Sequence, residues 1–302
     1  MTHVIPVPTS LDDATFEQVL APLAALPPDA KVLLDARHTR WASPYGLIGL
    51  LTLAQSRTTK PELMPPEAEE TASYWSHTGF YHHAEQLFHL NGLVPHTRAA
   101  VDSQVLLEIT PVVGSGDVHE VVERIKERAQ RILTSQLNID IAATARFLMT
   151  LSEVCQNIVE HAGSGGWVAV QTYKWKQRLG GRRVVQIAVA DAGIGFRRSQ
   201  ESLPGREPPS PGDRWDDGTA LEEAVIRGVS RFRDRGRGQG LANARNFLAK
   251  WSGKLSVRSG TARIAIVPAW DDDAPLLEGL PDFPGAQVQI TIPERPAASA
   301  AA

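Results

Sequence analysis

The sequence predicts an α/β protein built in two parts. The chain has 302 residues, more than one typical domain uses and enough for two. Its first third alternates short apolar strands with helical stretches. The remainder sets amphipathic helices beside a glycine hairpin and three closing strands.

Taken in order, residues 4–7 are extended in character and "DDATFEQVLAPLAAL" (12–26) reads as a helix with Asp12 or Asp13 near its start. "KVLLDA" (31–36) is a short strand, and "PYGLIGLLTLAQS" (44–56) returns to helical periodicity. A Pro-rich stretch follows, then the aromatic and His-rich segment "ASYWSHTGFYHHAEQLFHLNG" (72–92), and "LVPHTRAAVDSQ" (93–104) reads as a connector. "VLLEITPVV" is a strand, and "DVHEVVERIKERAQRIL" a helix with apolar Val121, Val122, Ile125 and Ile132. A second helix runs from about Asp140 to His161. Strands at 166–175 and 182–191 meet through Gly180 and Gly181, a hairpin signal. Residues 197–220, polar and rich in Pro, Gly and Asp, read as a long loop. A helix from about Leu241 to Trp251 and the strands "KLSVRS", "ARIAIVP" and "AQVQITIP" complete the fold, and 296–302 read as a tail.

Composition narrows the function. Hydrophobic residues make up 42% and charged residues 22%, proportions of a globular chain that buries a core. A net charge of −3 argues against general nucleic-acid or membrane-surface binding, so any basic patch is local. Cys155 is the single cysteine, which excludes an intramolecular disulfide and fits a reducing compartment. The N-terminus lacks the basic start and apolar core of a signal peptide. The run "YGLIGLLTLA" falls short of the roughly 20 residues needed to cross a bilayer. The expected location is the cytoplasm, with no membrane contact.

Three stretches carry candidate chemistry. In "SEVCQNIVEHAGSGG" (152–166), Glu153, Asn157 and His161 recur at steps of four and share a helical stripe. A carboxylate, an amide oxygen and an imidazole so placed suit a hydrated Mg²⁺ and a nucleophile. Taken alone, the stripe reads first as a solvated face with a His at the helix end. In "IAVADAGIGF" (187–196), an apolar strand ends in Asp191, followed by Gly193 and Gly195 as D-x-G-x-G. An Asp at a strand end accepts a hydrogen bond from an exocyclic amine, and glycines let backbone approach a flat ring. A simple β-turn has the same composition. In "DRGRGQGLANARNFL", Gly236, Gly238 and Gly240 precede a helix, with Arg235 and Arg237 between them. Glycine amides at a helix start suit phosphates, and a flexible loop closed by a helix cap is the alternative.

In this order, with a long segment between the second and third, the three stretches resemble the nucleotide-binding domain of the GHKL superfamily. This is the Bergerat fold of gyrases, heat-shock chaperones, mismatch-repair ATPases and histidine kinases. The resemblance covers about 104–295 and implies an α/β sandwich, with helices on one face of a mixed, mainly antiparallel sheet. It implies ATP and Mg²⁺ as cofactors. Asn157 would bind Mg²⁺, Asp191 would read adenine, and Gly193 and Gly195 would shape the base pocket. Arg235, Gly236, Arg237, Gly238, Gly240 and Leu241 would lie along the phosphates. Glu153 matches the general base, and His161 a position near the phosphates.

Within the superfamily, "SEVCQNIVEHAG", "VADAGIGF" and "GRGQGL" are most similar to the anti-sigma-factor serine kinase and histidine-kinase-like branch. That likeness implies ATP hydrolysis or γ-phosphate transfer to a protein Ser or Thr, a regulatory protein partner and a homodimer. The alternative is an ATP-dependent binding switch with negligible turnover. No stretch resembles a sensor kinase's phosphoacceptor helix or a transducer domain with a catalytic Lys. Residues 1–98 are similar to STAS domains over "KVLLDARHTRWASPYGLIGLLTLA", with Ser43, Pro44, Tyr45 and Gly46 at the turn that usually carries a phosphorylated serine; Pro44 and Tyr45 take the two serine positions.

The remaining clusters have plainer readings. His77, His82, His83 and His89 lack a metal-ligand spacing and fit a helix covering a sheet or an inter-domain surface. "RFRDRGRG" fits phosphate contact better than nucleic acid, and "WDDDAP" (270–275) reads as a solvated loop. Cys155 reads as a buried small side chain.

Overall fold

The computed structural model of the chain describes residues 1–95, 105–114, 116–124, 134, 141–157, 162–175, 179–202, 215–228 and 240–295. The N-terminal part runs β1 (His3–Pro6), β2 (Ser10–Leu11), α1 (Glu17–Ala24), β3 (Val32–Asp35), β4 (Trp41–Ala42), α2 (Pro44–Gln55), β5 (Glu62–Met64), α3 (Glu69–His77), α4 (Phe80–Leu87) and β6 (His89–Leu90). Strands β1-β3-β5-β6 form a parallel sheet in that order, and β2 pairs with β4 beside it.

Helix α1 begins later than its periodicity suggests. The Asp12 carboxylate accepts the N–H groups of Ala14 and Thr15 at 3.1 Å each, which holds 12–15 as a turn. The Pro-rich stretch conceals β5, whose three residues are too few to show a period. Helix α2 starts sharply, since the Ser43 hydroxyl accepts the Gly46 N–H at 3.1 Å and Pro44 occupies the first turn. It is apolar on every side, and its residues from Pro44 to Ala54 are all buried, as a helix between two layers must be.

The C-terminal part runs β7 (Val105–Val112), α5 (helical over the described 116–124), α6 (Ile141–Asn157), β8 (Gly166–Trp175), β9 (Arg182–Asp191), α7 (Gly195–Glu201), α8 (Asp217–Val225), α9 (Gly240–Trp251), β10 (Lys254–Gly260), β11 (Ala262–Ile266), β12 (Leu276–Leu277) and β13 (Phe283–Pro293). Its strands form a seven-stranded sheet in the order β12-β11-β10-β13-β9-β8-β7. Every ladder in it is antiparallel, so the parallel pairings of the molecule belong to the N-terminal part. In the loop that closes the β8–β9 hairpin, Gly180 and Gly181 take φ of 60° and 86°, the left-handed region that glycine enters freely. The stretch expected as one loop over 197–220 instead carries α7 at one end and α8 at the other, with 203–214 outside the described residues. The Asp216 carboxylate caps α8 by accepting the Thr219 N–H at 2.9 Å, and Leu221 and Val225 reach the core.

The pleat sorts the sheet into two buried faces. Val185, Ile187 and Val189 of β9, Val168 and Val170 of β8, and Val288, Ile290 and Ile292 of β13 meet Phe147, Leu151 and Val154 of α6 and Phe247 and Leu248 of α9. The alternate residues Ala188, Ala190, Ala169, Trp167 and Phe283 meet Phe16, Tyr45 and the rest of the N-terminal core. Helix α2 lies across β13, β9 and β8 on this second face. Its glycines admit neighbours on both sides: a Cβ on Gly46 would strike Leu11, and one on Gly49 would stand 2.5 Å from the Phe16 ring and 3.0 Å from Gln287 Nε2 of β13. Helices α3 and α4 complete the cover. Trp75, Phe80 and Tyr81 are buried, and His83 places Nε2 2.8 Å from the Ile109 carbonyl of β7.

The second face also buries charge. Lys254 lies 2.9 Å from Asp273, 3.2 Å from Asp271 and 3.7 Å from Asp13, and Arg263 pairs with Asp273. The segment 270–275, expected as a solvated loop, therefore supplies counter-charges. The N-terminal part takes water from the two cations, and the acids replace it. Arg258, fully buried, bonds Glu17 of α1 at 2.9 Å and the carbonyls of Gly260, Ala262 and Pro281. Replacing it by Ala would strand a part-buried carboxylate and three carbonyls. Arg258→Ala is expected to cost roughly 3 kcal/mol or more in chemical denaturation; a loss under about 1 kcal/mol would show that this bond does not hold the two parts together.

Candidate functional site

The site is set by strand alternation. Asp191 ends β9 on the face of Val185, Ile187 and Val189, so its carboxyl points towards the helices rather than the N-terminal part. It sits mid-sheet, opposite Ala286 of β13 on one side and Gly166 of β8 on the other. Its carboxylate accepts the Gly193 N–H at 2.9 Å and the Ala286 N–H. Only 8% of the residue is exposed, and this burial pushes its pKa up to about 7 against the two backbone bonds that lower it.

Glycines surround this carboxyl because nothing larger fits. A Cβ on Gly193 would collide with the backbone of Ala162. One on Gly285 would collide with the Asp191 carbonyl and stand 2.5 Å from the Gly193 nitrogen. Gly195 takes φ of +73°, and the Ser259 hydroxyl accepts the Phe196 N–H at 3.1 Å while donating to the Gly285 carbonyl at 2.7 Å. Ser259, Gly285 and Ala286 escaped the motif reading because they arrive from distant strands. Gly285, immediately before the alternating run "AQVQITIP", was the one signal in sequence.

Helix α6 brings the polar stripe to the same end. Leu151, Val154 and Cys155 face the core, which leaves Glu153 and Asn157 half-buried on the adjoining flank. Burial raises the Cys155 thiol to about 12, so it is an inert core group. Residues 162–165, with Gly163 and Gly165 both at φ of +68°, carry the chain from α6 into β8 and set Ala162 against Gly193. Gly240 opens α9, which packs on α6 through the Phe247 and Leu248 side of the core. The structure thus gathers Glu153, Asn157, Asp191, Gly193, Gly195 and the start of α9 on the helix side of the sheet. His161, Arg235, Gly236, Arg237 and Gly238 lie outside the described residues, as does the side chain of Leu241.

A cleft of about 550 Å³ flanks the D-x-G-x-G loop, lined by Gly193, Gly195, Arg198, Asp217, Thr261 and Gly285 among others. Neither Glu153 nor Asn157 is among the described residues that line it. Chemically, Asp191 offers a desolvated acceptor held by backbone, beside glycines that let a flat ring close on the main chain. That donor and acceptor set fits an adenine bearing an exocyclic amine.

Because burial favours the neutral carboxyl, the stability Asp191 contributes is complete below about pH 4 and declines as pH rises from 3.8 towards 7. Asp191→Asn cannot ionise. The melting temperature of Asp191→Asn minus that of the wild type is expected to grow from pH 4 to 7 and to level off above 8. A difference independent of pH would show that the carboxyl is not desolvated.

Comparison with protein families matches residues 143–296 to the histidine kinase-, DNA gyrase B-, and HSP90-like ATPases. No curated protein shows a comparable match. The matched span runs from α6 through β13 and contains every residue brought together above. The chain therefore belongs to the family of histidine kinase-, DNA gyrase B- and HSP90-like ATPases, and it is a GHKL-type ATP-binding protein.

Proposed function

We propose that the protein binds ATP with Mg²⁺ and either hydrolyses it or transfers its γ-phosphate to a protein Ser or Thr, in a regulatory role. The observation that carries the reading is Asp191, a buried acceptor on the helix side of the sheet within a cradle that only glycine can line. Asp191 takes the adenine amine, and Gly193 and Gly195 shape the base pocket. Asn157 would hold Mg²⁺, which neutralises phosphate charge. Glu153, on the same flank of α6, takes the proton of the attacking hydroxyl or water. His161, Arg235, Gly236, Arg237, Gly238, Gly240 and Leu241 would serve the phosphates. Catalysis on this plan is chiefly positioning and electrostatics.

On this reading residues 1–98 would be a regulatory or interaction domain resembling STAS domains, and 104–295 the ATP-binding domain. The turn that carries a phosphorylated serine in STAS domains here holds Ser43 and Tyr45, both buried at the start of α2, which speaks against a phosphoswitch at this place. The signal would pass by contact with a protein partner or a second copy of the chain. A second reading, an ATP-dependent switch with negligible turnover, draws support from the continuous buried interface between the two parts.

Incubation with γ-labelled ATP, followed by separate assay of ADP and of labelled protein, divides ATPase from kinase. Glu153→Ala is expected to keep ATP binding by calorimetry while product formation falls about a hundredfold or more; unchanged product formation removes Glu153 as base, and no product from the wild type favours the switch. Asn157→Ala is expected to remove the dependence of ATP affinity on Mg²⁺. If the wild type gives no heat with Mg²⁺ and ATP, the nucleotide reading is wrong.

A further inference from the structure

Gln55 links the N-terminal part to the segment beside the proposed nucleotide site. Gln55, the last residue of α2, donates through Nε2 to the Ser164 carbonyl at 2.9 Å and accepts the Trp167 indole N–H at Oε1 at 3.0 Å. These bonds straddle the start of β8. Ser164 belongs to the loop whose Ala162 backbone closes on Gly193. Gly166, between the two bonded residues, is the cross-strand partner of Asp191, and Trp167 that of Ala190. Gln55 thus grips, from the opposite face of the sheet, the segment that sets the height of the D-x-G-x-G loop.

The grip is itself anchored. Ser56 donates to the Leu53 carbonyl at 2.8 Å, and Arg57 donates to the carbonyls of Pro27 and Ala30 at 2.9 and 2.8 Å. The first closes the end of α2, and the Arg57 bonds tie it to the loop before β3. At its other end α2 is held by Gln287 of β13, which donates to the Tyr45 carbonyl at 2.8 Å, and Gln287 is the cross-strand partner of Ala190. The Trp167 ring is also held by His83 of α4, with centroids 4.9 Å apart. Helix α2 therefore bridges both strands that flank β9 beside Asp191.

We propose that Gln55 is a positioning residue through which the N-terminal part sets the ATP affinity of the ATP-binding domain in cis. The proposal rests on the nucleotide reading above. With Gln55 in place, Ala162 is held against Gly193 and the base pocket is pre-formed. When α2 shifts, the 162–165 loop loses its anchor and the pocket must be ordered by the nucleotide itself. Coupling of this kind is reciprocal, so ATP in turn tightens the Gln55–Trp167 contact.

The test compares wild type with Gln55→Leu, which keeps the volume and removes both hydrogen bonds. Titration calorimetry with Mg²⁺ and ATP is expected to give about tenfold weaker binding for the variant, within the usual range for coupling between sites, while the melting temperature without nucleotide changes by a few degrees at most. Gln55 is at the end of its helix and only half-buried, so the variant retains the fold. Equal affinities in the two proteins overturn the coupling while leaving ATP binding intact. No binding by the wild type removes the nucleotide reading and the coupling with it. In the wild type alone, the Trp167 indole N–H resonance, assigned with Trp167→Phe, is expected to move on ATP addition; a resonance that stays in place at saturating ATP also overturns the proposal.

Discussion

The structure depends on one constraint: the seven-stranded sheet is buried on both faces, and its two faces are covered by different parts of the chain. On the first face, branched side chains of β8, β9 and β13 meet helices α6 and α9 in an ordinary apolar core. On the second, small residues such as Ala169, Ala188 and Ala190 leave room for an entire helix, and α2 fills it. The helix in turn presents Gly49, where a Cβ would stand 3.0 Å from Gln287 Nε2 of β13 as well as 2.5 Å from the Phe16 ring. Because packed interiors tolerate little change in volume, this fit joins the N-terminal part to the sheet as one layer of the same molecule.

The second face is unusual in being polar as well as buried. Gln171, Gln186, Gln287, Gln289, Lys254 and Arg258 all lie beneath the N-terminal part. Four of them find a partner across that interface: Glu17 for Arg258, Tyr74 for Gln171, the Tyr45 carbonyl for Gln287, and Asp13, beyond the nearer Asp271 and Asp273, for Lys254. Buried polar groups with specific partners contribute little net stability, yet mismatching them is costly, so they select one docking geometry. An apolar interface of the same area would permit more sliding.

The same arrangement places contacts on one face directly behind the candidate site on the other. Asp191 and the glycines around it occupy the end of a strand between β13 and β8. The N-terminal part grips both flanking strands from behind, at Gln287 and at Trp167. A carboxyl held by two backbone N–H groups in a glycine-lined recess has little freedom of its own, so its setting is determined by where the strands hold those groups.

Much of this was legible in the residues. The D-x-G-x-G run, the four-residue recurrence of Glu153 and Asn157 and the glycine pair at 180–181 are local patterns, and local steric rules read them: period 3.6 for the stripe and positive φ for the hairpin. Short elements were less legible. Strand β5 has three residues and α7 and α8 lie in a Pro- and Gly-rich stretch, so neighbours rather than propensity make them. Beyond reach altogether were the contacts between residues far apart in the chain. Nothing in "WDDDAP" announces that Asp271 and Asp273 neutralise Lys254 and Arg263, and nothing around Gln55 announces Ser164 and Trp167. The sequence by itself determined the family motifs and the longer helices and strands. Only the tertiary structure decided which face of the sheet the N-terminal part covers and which residues support Asp191 from behind, because those depend on shape complementarity between distant segments, which no local pattern encodes.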